Sequence, residues 1–191
     1  VIEINGERVE YKKYIYIMMN KPQGVISATY DSMHKTVLDL IDEEYLIFNP
    51  FPMGRLDIDT EGLLIITNDG KLSHQILSPK NHIPKTYYAH IDGTVTEEDI
   101  EDFKKGITLD DGYKTLPSEL VIKECGDVSK IELTIYEGKF HQVKRMFEAV
   151  GKKVIYLKRI AMGDLKLDES LGLGEYRELI EEEVEILRRN K

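Results

Sequence analysis

Four consecutive apolar residues, Leu63-Leu-Ile-Ile66, follow directly on the polar stretch Gly54-Arg-Leu-Asp-Ile-Asp-Thr-Glu-Gly62. A short unbroken apolar run bounded by turn formers reads as a buried strand. The turn formers here are Pro52 and Gly54 on one side and Asn68-Asp-Gly70 on the other. The segment therefore reads as a polar loop, carrying Arg55, Asp57 and Asp59, poised on a buried strand.

The chain around it has 191 residues, one domain or two closely joined ones, which is long enough to bury a core. Hydrophobic residues make up 41% and charged residues 32%, which sets aside disordered and fibrous classes. The longest apolar stretch, around Ile15 to Met19, is far short of the roughly 18 residues of a membrane span, and no secretory signal opens the chain. The single cysteine, Cys125, has no internal partner and fits a reducing compartment, so a cytoplasmic location is expected. Acids flank it in Glu124-Cys-Gly-Asp127, a setting that opposes a nucleophilic thiolate. The net charge of −9 argues against a nucleic-acid partner, but its distribution argues for one. Between Lys139 and Arg159 seven Lys and Arg residues stand against Glu148 alone, a local basic stripe suited to phosphate.

Along the chain, Val1 to Val9 alternates around Asn5-Gly6 as a short hairpin, and Tyr14 to Met19 and Val25 to Thr29 read as strands about the turn at Pro22 and Gly24. Thr36 with Asp39 and Thr96 with Asp99 are capping signals for two helices, the second with Ile100 and Phe103 inward and Gly106 at its end. Lys71 to Leu77 reads as a helix stopped by Pro79; Thr86 to Ile91, Leu120 to Lys123, Lys130 to Ile135 and Lys153 to Lys158 read as strands. Phe140, Val143, Phe147 and Val150 recur at helical spacing and predict an amphipathic helix whose opposite face carries His141, Lys144, Arg145 and Glu148. The acidic Glu181 to Leu187 reads as a surface helix. Strands in pairs with occasional helices predict an α+β fold with a mixed, largely antiparallel sheet.

The acids of the opening stretch admit several readings. A carboxylate facing Lys or Arg stays ionised and nucleophilic, so Asp57 or Asp59 can attack an electron-poor carbon. The pair can also hold Mg²⁺, although two acids without a wider cluster are a sparse ligand set. A two-carboxylate glycosidase needs a separation that sequence does not give. The plainest reading, a local turn in which the side chain bonds its own backbone, suits Asp59 best.

Four motifs extend this reading. Lys21-Pro-Gln-Gly24, Gly54 to Leu64 with Thr67-Asn-Asp-Gly70, Lys85-Thr-Tyr87 and Glu137-Gly-Lys-Phe-His-Gln-Val-Lys-Arg-Met146 resemble, in order, the motifs of the RsuA-like pseudouridine synthases. The resemblance implies a pseudouridine synthase fold with a central catalytic cleft flanked by helices and loops. It implies isomerisation of uridine to pseudouridine in ribosomal RNA by a monomer, without cofactor or metal. By the motifs, Asp57 is the nucleophile, Tyr87 stacks on the target base, and Lys144 is the ion partner of Asp57, with Arg145 as the other candidate. Arg55, Lys21, His141, Gln142, Arg145 and Lys139 are the expected RNA-binding residues. A flipped-out uridine needs such a stacking platform and cationic rim.

His141 to Phe147 and Gly174-Glu-Tyr-Arg177 resemble the small-subunit branch more than the large-subunit branch, so 16S ribosomal RNA or a small-subunit assembly particle is the expected partner. Relatives carry an S4 RNA-binding domain. Residues 1–10 are expected to be its remnant or the linker after it, and 11–191 the catalytic domain in two closely joined subdomains. The alternatives are a large-subunit (23S) synthase and, in another class, a non-catalytic RNA-binding assembly factor. Against the latter, a carboxylate in an RNA-facing cleft repels phosphates and serves no binding purpose.

Overall fold

A computed structural model describes residues 2–4, 7–9 and 13–190. Strands β1 (Ile2–Ile4) and β2 (Glu7–Val9) pair antiparallel, as the hairpin pattern predicts, while its Asn5-Gly6 turn lies outside the described residues. Most of the remaining elements build one nine-stranded sheet. Its strands are β3 (Tyr16–Lys21), β4 (Phe51–Pro52), β5 (Glu61–Thr67), β6 (Lys85–Asp92), β7 (Glu119–Glu124), β8 (Val128–Ile135), β9 (Lys153–Met162), β10 (Leu165–Lys166) and β11 (Tyr176–Glu178). The helices are α1 (Glu43–Leu46), α2 (Gly70–Leu77), α3 (Glu97–Lys105), α4 (Gln142–Ala149) and α5 (Glu181–Arg189).

The main path of the sheet runs β11-β3-β5-β9-β6-β8-β7, with β4 beside β5 and β10 beside β9. Every pairing in it is antiparallel except β5 with β9. That parallel contact comprises Glu61 opposite Lys158 and Gly62 opposite Arg159, and it joins the two halves of the sheet.

The alternation of strand side chains explains how each half is filled. In the β3–β5 half, Met18, Leu63 and Ile65 point to one face and pack with Leu72 and Ile76 of α2 and Leu187 of α5. Ile17, Met19, Leu64 and Ile66 point to the other and pack with Val25, Val37, Ile41 and Leu56. Both faces of β5 are thus covered, as its continuous apolar run requires. In the β6–β9 half only one face is closed: Ala89, Ile91, Ile131, Leu133 and Leu157 pack against Phe103 of α3 and Met146 and Phe147 of α4.

Two local expectations fail. Val25 to Thr29 forms no strand and makes a single bridge between Ile26 and Thr36. Ile26 is satisfied by the returning chain, its N–H donating to the Lys35 carbonyl and its own carbonyl accepting from Val37. Phe140 does not belong to the buried helix face; it is 75% exposed. The helix begins only at Gln142 because His141 takes a left-handed conformation at φ 46° and breaks the register; the inner face is Val143, Met146 and Phe147.

Gly62 makes the central joint possible. A Cβ on it would lie 2.2 Å from the Arg159 carbonyl oxygen and 2.7 Å from the Arg159 nitrogen, and its φ is +110°. Gly24, at φ +89°, has nothing within 4 Å of the same position. Gly62→Ala is therefore expected to cost at least about 3 kcal/mol in denaturant unfolding, from backbone strain plus a clash that only strand separation relieves. Gly24→Ala is expected to cost roughly 1 kcal/mol, from the backbone conformation alone.

Candidate active site

The polar loop sits at that joint, ending where β5 begins. Its conformation is fixed from below by Lys21 at the end of β3. The Lys21 side chain is fully buried, and its ammonium donates to the carbonyl oxygens of Pro22 (2.9 Å), Asp57 (3.1 Å), Ile58 (3.4 Å) and Thr60 (2.9 Å). Burial draws its pKa down to about 8, against the attraction of Asp59, Asp57 and Glu61. Further bonds close the loop: the Thr60 N–H donates to the Asp57 carbonyl at 3.0 Å, the Gly24 N–H to Ile58 at 2.9 Å, and the Leu56 N–H to the Ser27 hydroxyl at 3.1 Å.

With its backbone held, Asp57 presents its carboxylate to α4. Lys144 Nζ donates to Asp57 Oδ2 at 3.1 Å and to Asp59 Oδ1 at 2.7 Å, so one ammonium bridges both acids of the loop. Burial works against the Lys144 charge, but the bonds from Asp59 and Asp57 outweigh it and hold the pKa above the ordinary lysine value. The Lys144 bond likewise holds Asp59 below the usual carboxylate range. His141 Nε2 stands 3.5 Å from Asp57 Oδ1.

The Asp57 carboxylate, Lys144 and Tyr87 line one narrow pocket of about 90 Å³, with Arg55, Lys139 and His141 at its sides. It opens into a wider hollow of about 770 Å³ that Asp59, Phe140 and His34 also border. Tyr87 reaches the pocket because Lys85, Tyr87, Ala89 and Ile91 share one face of β6, while Thr86, Tyr88 and His90 take the other. Tyr88, the alternative aromatic, hydrogen-bonds His90 at 3.1 Å on that opposite face. At the mouth the exposed Phe140 ring stacks on His141, centroids 3.8 Å apart and planes at 16°.

The segment that carries them is anchored by Glu137. Its carboxylate accepts from the Tyr113 hydroxyl, from the Leu116 N–H at 2.6 Å and from Gln142 Nε2 at 3.2 Å. The bond to Glu137 pushes the Tyr113 hydroxyl up to about 12.

The expected residues therefore divide. Asp57, Tyr87, Lys144, Arg55, Lys139 and His141 converge on the pocket, and Gln142 also borders it. Two expected RNA contacts are corrected. Lys21 has no exposed surface and serves the loop's carbonyls instead, since an ammonium in that position finds acceptors for its own buried charge and supplies a donor to the buried Thr60 oxygen. Gln142 is 4% exposed; it donates to Glu137 and accepts from the Lys139 N–H at 3.0 Å, so it holds the Glu137–Lys139 turn. Arg145 does not pair with Asp57: its guanidinium bonds Asp110 at 2.7 and 2.9 Å and the Phe140 carbonyl at 2.8 Å. Among the described residues no group of three or more His, Cys, Asp or Glu is placed to hold a metal ion. No helix of the described residues is long and apolar enough to cross a membrane.

Sequence reasoning missed Phe140, Lys85 and Arg159 as side chains around the pocket. The signal for Phe140 was its place between Gly138 and the helix; for the two cations it was the shared face of β6 and the register of β9, which opposes Arg159 to Tyr87.

The site thus brings together a carboxylate on a loop tied to the core, a lysine that bridges it to a second acid, and a tyrosine lining the same pocket. The comparisons place it in a class. Residues 15–149 match the model of the RNA pseudouridylate synthase family, and the chain belongs to that family. It is 54% identical over 188 residues to the uncharacterized RNA pseudouridine synthase YtzG of Bacillus subtilis (strain 168), covering 97% of this chain and 78% of that one. It is 45% identical over 185 residues to the ribosomal small subunit pseudouridine synthase A of Vibrio cholerae, covering 96% and 78%. A crystal structure of a pseudouridylate synthase superposes with a TM-score of 0.84 at 42% identity, covering 91% of this chain and 74% of that one. The pseudouridine synthase fold and the RsuA-like relationship are thus both in place.

The Lys21 cage carries a pH signature. Between about pH 8 and the ordinary lysine value of 10.5, the unfolded chain keeps a proton on Lys21 that the folded chain has released. The unfolded state then binds more protons, so this group's contribution to stability rises with pH across that window and is flat below it. Urea unfolding of wild type and Lys21→Met at a series of pH values should show wild type gaining on the variant above about pH 8. A difference that stays constant with pH would count against the assignment.

Proposed function

We propose that this chain isomerises uridine to pseudouridine in 16S ribosomal RNA, in the cytoplasm, with Asp57 as the nucleophile. The observation that carries this reading is the Asp57 carboxylate, 3.1 Å from the Lys144 ammonium in a pocket that Tyr87 also lines. The 45% identity to a relative named as a small-subunit synthase supports the choice of 16S RNA.

The chemistry stays within one nucleotide. The bond from the sugar C1′ to N1 of uracil breaks, a bond from C1′ to C5 forms, the proton leaves C5, and N1 ends protonated; no electrons enter or leave. Asp57 supplies the transient covalent partner, which turns one difficult exchange into two simpler steps. Lys144 pairs with that carboxylate without the fork of a guanidinium, and therefore as a point charge shared with Asp59. Tyr87 stacks on the extruded base, and Arg55, exposed and without a hydrogen-bond or ion-pair partner among the described residues, fills or faces the gap in the RNA.

Two experiments test this. Incubation with 16S transcript or partly assembled small-subunit particles, followed by pseudouridine mapping, should give one new site with wild type and none with Asp57→Asn, whose RNA binding stays within a few fold. Near-normal turnover by Asp57→Asn would remove the nucleophile assignment, and a product found only in 23S RNA would move the enzyme to the large-subunit branch. Second, Tyr87→Phe should keep the stacking contact while Tyr87→Leu loses it, at about 1–3 kcal/mol, or roughly 5- to 150-fold in kcat/KM. Equal activity of the two would leave Tyr87 without its stacking role.

A further inference from the structure

Beside the Asp57 pocket lies a second recess of about 350 Å³ that shares Arg55, Tyr87 and Lys139 with it. Its floor is cationic for a geometric reason. Lys85 shares the inner face of β6 with Tyr87, and Arg159 of β9 stands directly opposite Tyr87, so both cations project to the same side of the sheet. A skipped residue on β9 between Arg159 and Ala161 sets this register.

Neither cation has a carboxylate bonded to it among the described residues. Arg159 is 3% exposed; its Nε donates to the Leu63 carbonyl at 2.9 Å, and its Nη2 has no partner among the described residues. The Lys85 ammonium makes no hydrogen bond or ion pair within reach among the described residues, and its pKa is lowered by burial and then by the charge of Arg159, against a weaker attraction from Glu137. The only carboxylate lining the recess, Glu137, is already committed to Tyr113, Leu116 and Gln142. A buried, unpaired guanidinium beside a half-buried, unpaired ammonium is an arrangement that costs stability unless an anion completes it.

Donors without acceptors select a phosphate over a base edge or a sugar hydroxyl. Gly138 lines the recess without a side chain, and nothing lies within 4 Å of where its Cβ would stand, which leaves room for a backbone to enter. We infer that the Lys85–Arg159 recess binds the RNA phosphodiester immediately flanking the target uridine. The inference rests on the proposed function and deepens it: the base enters the Asp57 pocket while the adjoining phosphate occupies the neighbouring recess, so Tyr87 divides base from backbone.

The test is phosphate ethylation interference on 16S transcript. The transcript is sparsely ethylated with ethylnitrosourea, molecules bound by the full chain are separated from those left free, and the depleted positions are mapped beside the uridine that wild type converts. Wild type should show strong depletion at one phosphate next to that uridine. Lys85→Gln should lose that depletion alone, bind unmodified transcript about tenfold more weakly, and show a salt slope shallower by about 0.7. Lys85→Arg should restore the depletion, which separates lost charge from lost folding. Conversion by wild type with no depletion beside the converted uridine, or with the same depletion in Lys85→Gln, overturns this inference and leaves the proposed function standing. Failure of wild type to convert any uridine overturns both.

Discussion

Two pairs of residues hold the molecule's centre. Glu61 against Lys158 and Gly62 against Arg159 make up the one parallel pairing of strands among the described residues of the nine-stranded sheet, and through them two antiparallel halves become one surface. The pairing depends on a missing side chain, since any Cβ at position 62 would occupy the space of the Arg159 backbone. Everything chemical is arranged around that joint. The acidic loop ends at it, the Arg159 side chain emerges from it, and Tyr87 stands across from it on β6. A site drawn from both halves of a sheet keeps its distances only as well as the seam between them.

The electrostatics follow the same economy. A protein of net charge −9 binds nucleic acid through where its cations are, not how many it has. Of the basic stripe, Lys144 serves the loop acids, Arg145 is held by Asp110 and Asp111, and Lys152 pairs with Asp99 at 3.0 Å. Lys139 lies over the Tyr113 ring, 4.8 Å from its centroid. Lys144 bridges two carboxylates where a guanidinium would bind one side-on, and Asp59 thereby acquires a part in holding the ion pair.

Much of this was legible in the sequence because it is local. The buried strand at Glu61–Thr67, the capped helix at Glu97–Lys105 and the alternating strand at Val128–Ile135 follow from run length, caps and period. The convergence of Asp57, Tyr87 and Lys144 was legible only through the resemblance, because strand register across a sheet leaves no trace in spacing along a chain. Lys21 was misread for the same reason. Nothing in Lys21-Pro-Gln-Gly24 tells that its ammonium will face four carbonyls instead of solvent. Phe140 was misread because its spacing to Val143 and Phe147 is helical, whereas the left-handed backbone at His141 that interrupts the helix has no signature in residue type.

The four carbonyl bonds of Lys21 also decide when the acidic loop loses its freedom. A loop of this kind left to order itself on contact with RNA would subtract its conformational entropy, about 1–2 kcal/mol per residue, from the binding free energy. Here Asp57, Ile58 and Thr60 are immobilised by a side chain of the core, so their ordering belongs to the folding equilibrium. Association with RNA then asks for rearrangement of the nucleic acid and not of the carboxylate. On the proposed function, the extrusion of the uridine becomes the main conformational cost of forming the reactive complex.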